Sequence, residues 1–332
     1  MRRKLWLLFF VLVLLIPLTV GCRQAANEIR EEQQQTEEQQ QEDHTQAIRE
    51  EWSKSAHAVA TNAQEENSPA KRDECMRCHN GQAYVKQVTS ADELNVDEPV
   101  GQDCDTCHSG HGKEVWASGL VTLPAGEVRD GGGALCMDCH NARKTPDPEN
   151  RPAPHSSAEA DIVIGTNGYH VEGVTYSSSP HTAVKDTCFG CHMADLGGGY
   201  PSHTFKADVK PCQSCHQGIS DINMKAKADY DGDGSIEGFQ EEVDGLLKLL
   251  HDTIEAELDG GTFSTGHGQI VFTDKDGNEM SEVSPDLYHA AWNYYLVMND
   301  GSRGIHNPVY VVQLLQQSVL MLGGDLKDAK QL

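Results

Sequence analysis

Cys104-Asp105-Thr106-Cys107-His108 and Cys136-Met137-Asp138-Cys139-His140 place two thiols and an imidazole at one fixed spacing. The same spacing recurs in Cys75-Met76-Arg77-Cys78-His79, Cys188-Phe189-Gly190-Cys191-His192 and Cys212-Gln213-Ser214-Cys215-His216. Two intervening residues allow a tight turn that brings both thiols to one side, with the imidazole next to them. That unit suits a porphyrin. The thiols reach its two vinyl groups and the His swings under the ring to the iron, which is the signature of covalent haem attachment. Paired Cys-x-x-Cys units can also build a four-thiolate zinc site or a thioredoxin-like redox pair. Neither explains a His after every second Cys. The reading is therefore five covalently bound haems c, attached through Cys75, Cys78, Cys104, Cys107, Cys136, Cys139, Cys188, Cys191, Cys212 and Cys215. The proximal iron ligands are His79, His108, His140, His192 and His216.

The bulk composition agrees. Of the 332 residues only 38% are hydrophobic and 6% aromatic, too few to fill an ordinary core around five such motifs. Packed macrocycles would supply the missing apolar body. A formal net charge of −25 excludes a nucleic-acid partner, since a phosphate backbone attracts basic surfaces. Gly131-Gly132-Gly133, Pro146, Pro148, Pro152, Pro154 and Gly197-Gly198-Gly199 interrupt the motif region, so long helices are not expected there. The fold class that follows is mainly α with extensive irregular loops.

The N-terminus reads as an export signal. Arg2, Arg3 and Lys4 precede an apolar run from Leu5 to Val20, shorter than the roughly 20 residues of a spanning helix and suited to a secretory leader. Leu18-Thr19-Val20-Gly21-Cys22 resembles a bacterial lipoprotein signal, in which the Cys becomes the acylated N-terminus; Thr19 departs from the usual Leu. The expectation is a leader over 1–21, lipidation at Cys22 and a membrane-anchored, extracytoplasmic protein at the cell surface or in the periplasm. Ordinary cleavage with Cys22 as a bystander, or an uncleaved anchor, is the alternative. Residues 22–51 are a Gln/Glu-rich tether without apolar periodicity, either coil or in part helical. As flexible coil this stretch would span about 30 Å.

Sixteen histidines less the five in the motifs leave His44, His57, His111, His155, His170, His181, His203, His251, His267, His289 and His306. That supply favours bis-histidine ligation, which gives lower potentials than His/Met. Met193, directly after a motif, keeps one His/Met site open. Over about 52–322 the chain resembles the multihaem c-type cytochromes that include the ammonia-forming nitrite reductases and their octahaem relatives. The resemblance rests on Trp52-Ser53-Lys54-Ser55-Ala56-His57-Ala58, Ser179-Pro180-His181-Thr182, Ser202-His203-Thr204-Phe205 and Gly304-Ile305-His306-Asn307-Pro308. It implies that His57, His181, His203 and His306 are distal ligands. His155 in Pro154-His155 and His111 in His108-Ser109-Gly110-His111 look like two more. Six candidates then compete for five irons.

Beyond the motifs, Asp229-Tyr230-Asp231-Gly232-Asp233-Gly234-Ser235-Ile236-Glu237 resembles the first nine positions of a Ca²⁺-binding EF-hand loop. Asp229, Asp231, Asp233 and the Ser235 carbonyl would be the ligands. Position 12 is Gln240 and Glu241 comes one place late, which weakens the site. The alternative is an acidic turn at the entrance of the next helix. That helix carries Ile236, Phe239, Val243, Leu246, Leu247, Leu250, Ile254 and Leu258 on one face. Asp276-Gly277 marks a hairpin within 270–283. Ser284 with Pro285, and Asn307 with Pro308, start two further helices. The domains expected are thus a pentahaem cytochrome domain over 52–222 and, over 223–332, a three-helix layer closing over the haem array.

The function expected is extracytoplasmic electron transfer between redox partner proteins, such as a quinol-oxidising or another multihaem cytochrome. Two other readings stay open. One is a reductase of nitrite, hydroxylamine or a sulfur oxyanion, although no Cys-x-x-Cys-Lys motif of the kind that marks ammonia-forming nitrite reductases occurs here and no catalytic residue stands out. The other is a filament-forming cytochrome wire, favoured by a surplus ligand His and disfavoured by an acidic, self-repelling chain.

Overall fold

The computed structural model describes residues 2–94 and 96–332, with the side chains of 2–26 and 28 excepted. The expected leader and Cys22 fall outside the described side chains. Two compact units are distinguished: residues 1–55 with 195–204, and residues 56–194 with 205–332. Among the described residues, no helix is long and apolar enough to cross a membrane.

The first unit is built on helix α1 (Arg2–Ser53). The Gln/Glu-rich stretch is therefore helical rather than coil. Gln and Glu are good helix formers, no Gly or Pro interrupts 23–51, and side-chain pairs four apart support the exposed surface. Gln34 donates to Glu38 at 3.1 Å and Gln39 to Asp43 at 2.9 Å. As a helix this stretch extends about 44 Å at 1.5 Å per residue, half as far again as the coil estimate. Segment 195–204, within the cytochrome domain by the sequence reading, groups with this helix. Glu51 fastens it, accepting from the His203 backbone N–H at 2.7 Å and the Tyr200 hydroxyl at 3.2 Å.

The second unit opens with short helices: α2 (Met76–His79), α3 (Gly81–Lys86), α4 (Cys104–His108), α5 (Gly110–Ser118), α6 (Gly133–Cys139), α7 (Glu159–Ile164), α8 (Thr187–His192) and α9 (Val209–Cys212). Each Cys-x-x-Cys-His motif runs through one of these or starts at its end. Glycine and proline between the motifs keep them short, as expected. Strands β1 (Leu120–Leu123) and β2 (Gly126–Arg129) form a small hairpin. A modest core of Tyr84, Val115, Leu123, Leu135, Met137 and Val163 packs beneath the motif helices.

The three-helix layer is α10 (Phe239–Glu257), α11 (Pro285–Asp300) and α12 (Pro308–Met321), packed on one another. Val243, Leu246, Leu250 and Ile254 of α10 are fully buried at helical spacing. Each such side chain contributes about 1.5–3 kcal/mol through burial. Trp292 and Leu296 of α11 and Val311 and Leu315 of α12 complete this larger core, which also takes in Ala142, Ala158 and Ile162 from the motif region.

Two details differ from expectation. The regular hairpin is β3 (Thr262–Gly266) with β4 (Gln269–Thr273), turning at His267-Gly268, where both residues have positive φ, 52° and 75°. That is the conformation a two-residue hairpin turn needs. Asp276-Gly277 makes a second reversal, outside the regular strands, where Asp274 N–H donates to the Asn278 carbonyl and Met280 N–H to the Phe272 carbonyl, both at 2.9 Å. Asn307 also does not cap α12 with its side chain. It donates to the Ile162 carbonyl at 3.2 Å and accepts from the Ser179 backbone N–H at 2.8 Å. Asn307 thereby fixes the entrance of α12 to the motif region.

Candidate functional site

Within each motif one helical turn does the positioning. The backbone N–H of the motif His donates to the carbonyl of the first Cys at 3.2 Å for His79, 2.9 Å for His140 and 2.8 Å for His216. The two thiols and the imidazole are thereby gathered on one side.

His79, His140, His192 and His216 each face a second His. Ring centroids are 6.0 Å apart for His79 and His155, 6.2 Å for His140 and His57, 6.1 Å for His192 and His306, and 6.1 Å for His216 and His181. An iron shared by two imidazoles needs about 6 Å between centroids: two metal–nitrogen bonds of about 2 Å, plus roughly 1 Å from each nitrogen to its ring centre. All four partners belong to the six distal candidates.

The Nδ1 atoms add a second regularity. A metal-ligating imidazole normally presents one nitrogen to the metal and anchors the other on an oxygen. Here His155 Nδ1 meets Ser157 Oγ at 2.8 Å, His181 Nδ1 donates to the Ile305 carbonyl at 2.7 Å, and His192 Nδ1 to the Phe205 carbonyl at 3.0 Å. His79 Nδ1 lies 3.3 Å from Thr61 Oγ1, His140 Nδ1 3.3 Å from Glu159 Oε1, and His306 Nδ1 2.5 Å from Asp300 Oδ1. In each case Nε2 is left for the facing His. Burial, and then the charge of nearby His140, pulls the His57 pKa down to about 4. Burial and Arg143 do the same for His155. Both imidazoles are thus neutral at pH 7, which is the ligating form.

His111 breaks the pattern. Its Nε2 lies 3.1 Å from Asp138 Oδ2, and its ring packs edge-on against Tyr84. Arg77 Nη2 lies 3.4 Å from the same nitrogen. The anchored nitrogen of His111 is thus Nε2, where in the histidines above it is Nδ1. His203, in the first unit, has its Nδ1 anchored on the Pro201 carbonyl at 2.8 Å, like the paired histidines.

A family model described as a doubled CXXCH motif matches residues 98–145, and the cytochrome c552 family model matches residues 167–323. Together the two matches take in four of the five motifs, with His181, His203 and His306. The chain is a multihaem c-type cytochrome. The second match joins the resemblance to the ammonia-forming nitrite reductase group drawn from the histidine settings. Among solved structures, the undecahaem cytochrome from the S-layer of Carboxydothermus ferrireducens is similar at 17% identity over 80% of this chain, with a TM-score of 0.46. The cytochrome spans 40% of that chain's length. No curated protein matches it.

Neighbouring motifs in this cytochrome approach one another through their cysteines. Cys78 and Cys139 lie side by side, as do Cys136 and Cys188, each thiol shifting its neighbour's pKa. Cys107 also feels Cys136, and Cys191 feels Cys212. The third motif thus borders the first, second and fourth, and the fourth borders the fifth. Arg77 and Asp138, interior residues of the first and third motifs, form an ion pair at 2.9 Å. Sequence reading passed over this pair, although opposite charges at variable motif positions were a visible signal. Glu159 and Asp300 left no such signal, because each acts on a His through a loop whose course the sequence does not reveal.

Asp229, Asp231 and Asp233 gather so that one oxygen from each lies within 4.8 Å of the others. Gln240, at the closing position, turns away and donates to the Ser302 carbonyl at 3.0 Å. Glu242, fully buried, closes the loop from within by accepting from the Tyr230 and Glu237 backbone N–H groups at 2.7 and 3.0 Å. Burial first, and then the surrounding carboxylates, push the Asp231 pKa up to about 6. The Ser235 backbone N–H donates to Asp233 at 2.7 Å.

The remaining histidines have other surroundings. His170 bonds the Tyr310 hydroxyl at 3.0 Å, His289 stacks on Tyr169 at 3.6 Å, His251 sits beside Phe263, and His44 beside Tyr200 within the first unit.

Proposed function

We propose that this cytochrome relays electrons through five covalently bound haems c, four of them held by the pairs His79/His155, His140/His57, His192/His306 and His216/His181. The single observation that carries the reading is the recurrence of one ring separation, 6.0 to 6.2 Å, in all four pairs. Two imidazoles on one iron leave no position open for substrate, so such centres pass electrons and do not bind oxyanions. His111 and His203 are the remaining two of the six distal candidates.

Electrons pass in the order given by the neighbouring cysteines, with the third haem as the junction between the first, second and fourth, and the fifth haem reached through the fourth. Multihaem c-type cytochromes are extracytoplasmic. Acylation of Cys22 would hold this one at a membrane surface, with α1 as a stiff spacer, between redox partner proteins on either side of its potential range. Asp229, Asp231, Asp233 and the Ser235 carbonyl would bind Ca²⁺ beside the helical layer.

The test is haem counting by mass and pyridine haemochromogen, combined with electron paramagnetic resonance of the oxidised holoprotein. Five haems, all low-spin, are expected. A high-spin haem whose signal changes on adding nitrite or hydroxylamine would replace the relay with a reductase.

A further inference from the structure

The four ligand pairs differ in what stands behind them. Behind His79 and His155 are the hydroxyls of Thr61 and Ser157, both neutral. The guanidinium of Arg143 acts on both rings and more weakly on His140, Arg72 acts on His79, and Glu159 reaches His155 only at longer range. Behind His181 is a backbone carbonyl. Behind His140 is the Glu159 carboxylate at 3.3 Å, with its side chain 29% exposed. Behind His306 is the Asp300 carboxylate at 2.5 Å, with no side-chain exposure.

The surroundings of Asp300 are built around that contact. It is the last residue of α11, at the helix end where negative charge is unfavourable. Three groups hold it there: His306 Nδ1, the Ser302 hydroxyl, and the Ser302 backbone N–H at 3.3 Å. The Ser302 hydroxyl in turn accepts from the His306 backbone N–H at 3.2 Å. Gly301 takes the left-handed conformation that reverses the chain, φ 67°, and Asn307 fixes the next residue. Together these hold His306 with its Nε2 toward His192.

A carboxylate accepting the Nδ1 proton makes the ring a stronger donor to iron. Its charge also favours Fe(III), which carries one more positive charge than Fe(II), and it does so most where water does not screen it. Reduction adds one electron to each iron and requires no proton at Asp300. We infer that Asp300 makes the haem of His192 and His306 the lowest-potential centre of the array. Glu159 places the haem of His140 and His57 next, and the haem of His79 and His155 lies above both. This rests on the bis-histidine reading and deepens it. The two lowest centres are neighbours in the middle of the relay, where Cys136 adjoins Cys188, so the first electrons to enter reside on haems toward its ends.

The test is an optical spectroelectrochemical titration of the full-length holoprotein, followed by electron paramagnetic resonance at each poise. In Asp300→Asn the lowest of the five potentials should rise while the highest stays in place and every iron remains low-spin. Asp300→Glu should restore it. Ser302→Ala removes a competing donor from Asp300 and should move the lowest potential further down, which decides the matter if Asp300→Asn fails to assemble its haems. A lowest potential unmoved in Asp300→Asn, or unmoved or raised in Ser302→Ala, in a fully low-spin protein overturns the inference alone. A high-spin iron at this centre in the unmodified protein overturns the bis-histidine reading and the inference with it.

Discussion

Arg77 Nη2 and Asp138 Oδ2 lie 2.9 Å apart, joining the interior of the first haem motif to the interior of the third. Asp138 also accepts the Tyr84 hydroxyl at 2.9 Å and faces His111 Nε2 at 3.1 Å. One largely buried carboxylate thus satisfies three side chains between the first and third motifs.

Removing that carboxylate should be strongly destabilising. Asp138→Ala leaves a guanidinium, a phenol and an imidazole without their acceptor, and breaking a buried ion pair this way costs about 3–5 kcal/mol. The thermal midpoint of the holoprotein should fall sharply in Asp138→Ala and by less in Asp138→Asn. An unchanged midpoint in the alanine variant would show that the cluster holds nothing together.

The two kinds of candidate histidine should separate spectroscopically. His57→Ala removes a ring facing His140 and should turn one haem high-spin. His111→Ala removes a hydrogen-bonding ring and should leave the low-spin spectrum unchanged, with some loss of stability. A high-spin signal from His111→Ala would return that residue to the ligand set.

Much of this arrangement was readable in the sequence. The repeated spacing disclosed a multihaem c-type cytochrome, and Pro285 and Pro308 marked helix starts that the structure places at Pro285–Asp300 and Pro308–Met321. These signals are local. The pairing of His155 with His79, or His306 with His192, was not readable, because it depends on loops of irregular course. His111 and His155 looked equivalent as sequence; what separates them is which ring nitrogen meets an oxygen. The helicity of 23–51 was underestimated because the absence of an apolar face drew attention away from the helix propensity of Gln and Glu.

The acidic loop offers a pH test. Asp231 has its folded-state pKa raised to about 6, against 3.8 for a free side chain. Between those values the folded chain retains a proton that the unfolded chain has released, so this group's contribution to stability falls as pH rises from about 4 to about 6. Asp231→Asn should flatten that part of the stability profile. At pH 7, Ca²⁺ should raise the thermal midpoint of the unmodified cytochrome and have little effect on Asp231→Asn. A midpoint insensitive to Ca²⁺ in both would reduce the loop to an acidic turn.

The relay itself is tested most directly by electron paramagnetic resonance of the fully oxidised holoprotein, integrated against its haem content. Five haems per chain, all accounted for by low-spin bis-histidine signals and unaltered by nitrite or hydroxylamine, are the result expected. A high-spin signal integrating to one haem and changing on addition of either compound would contradict the account.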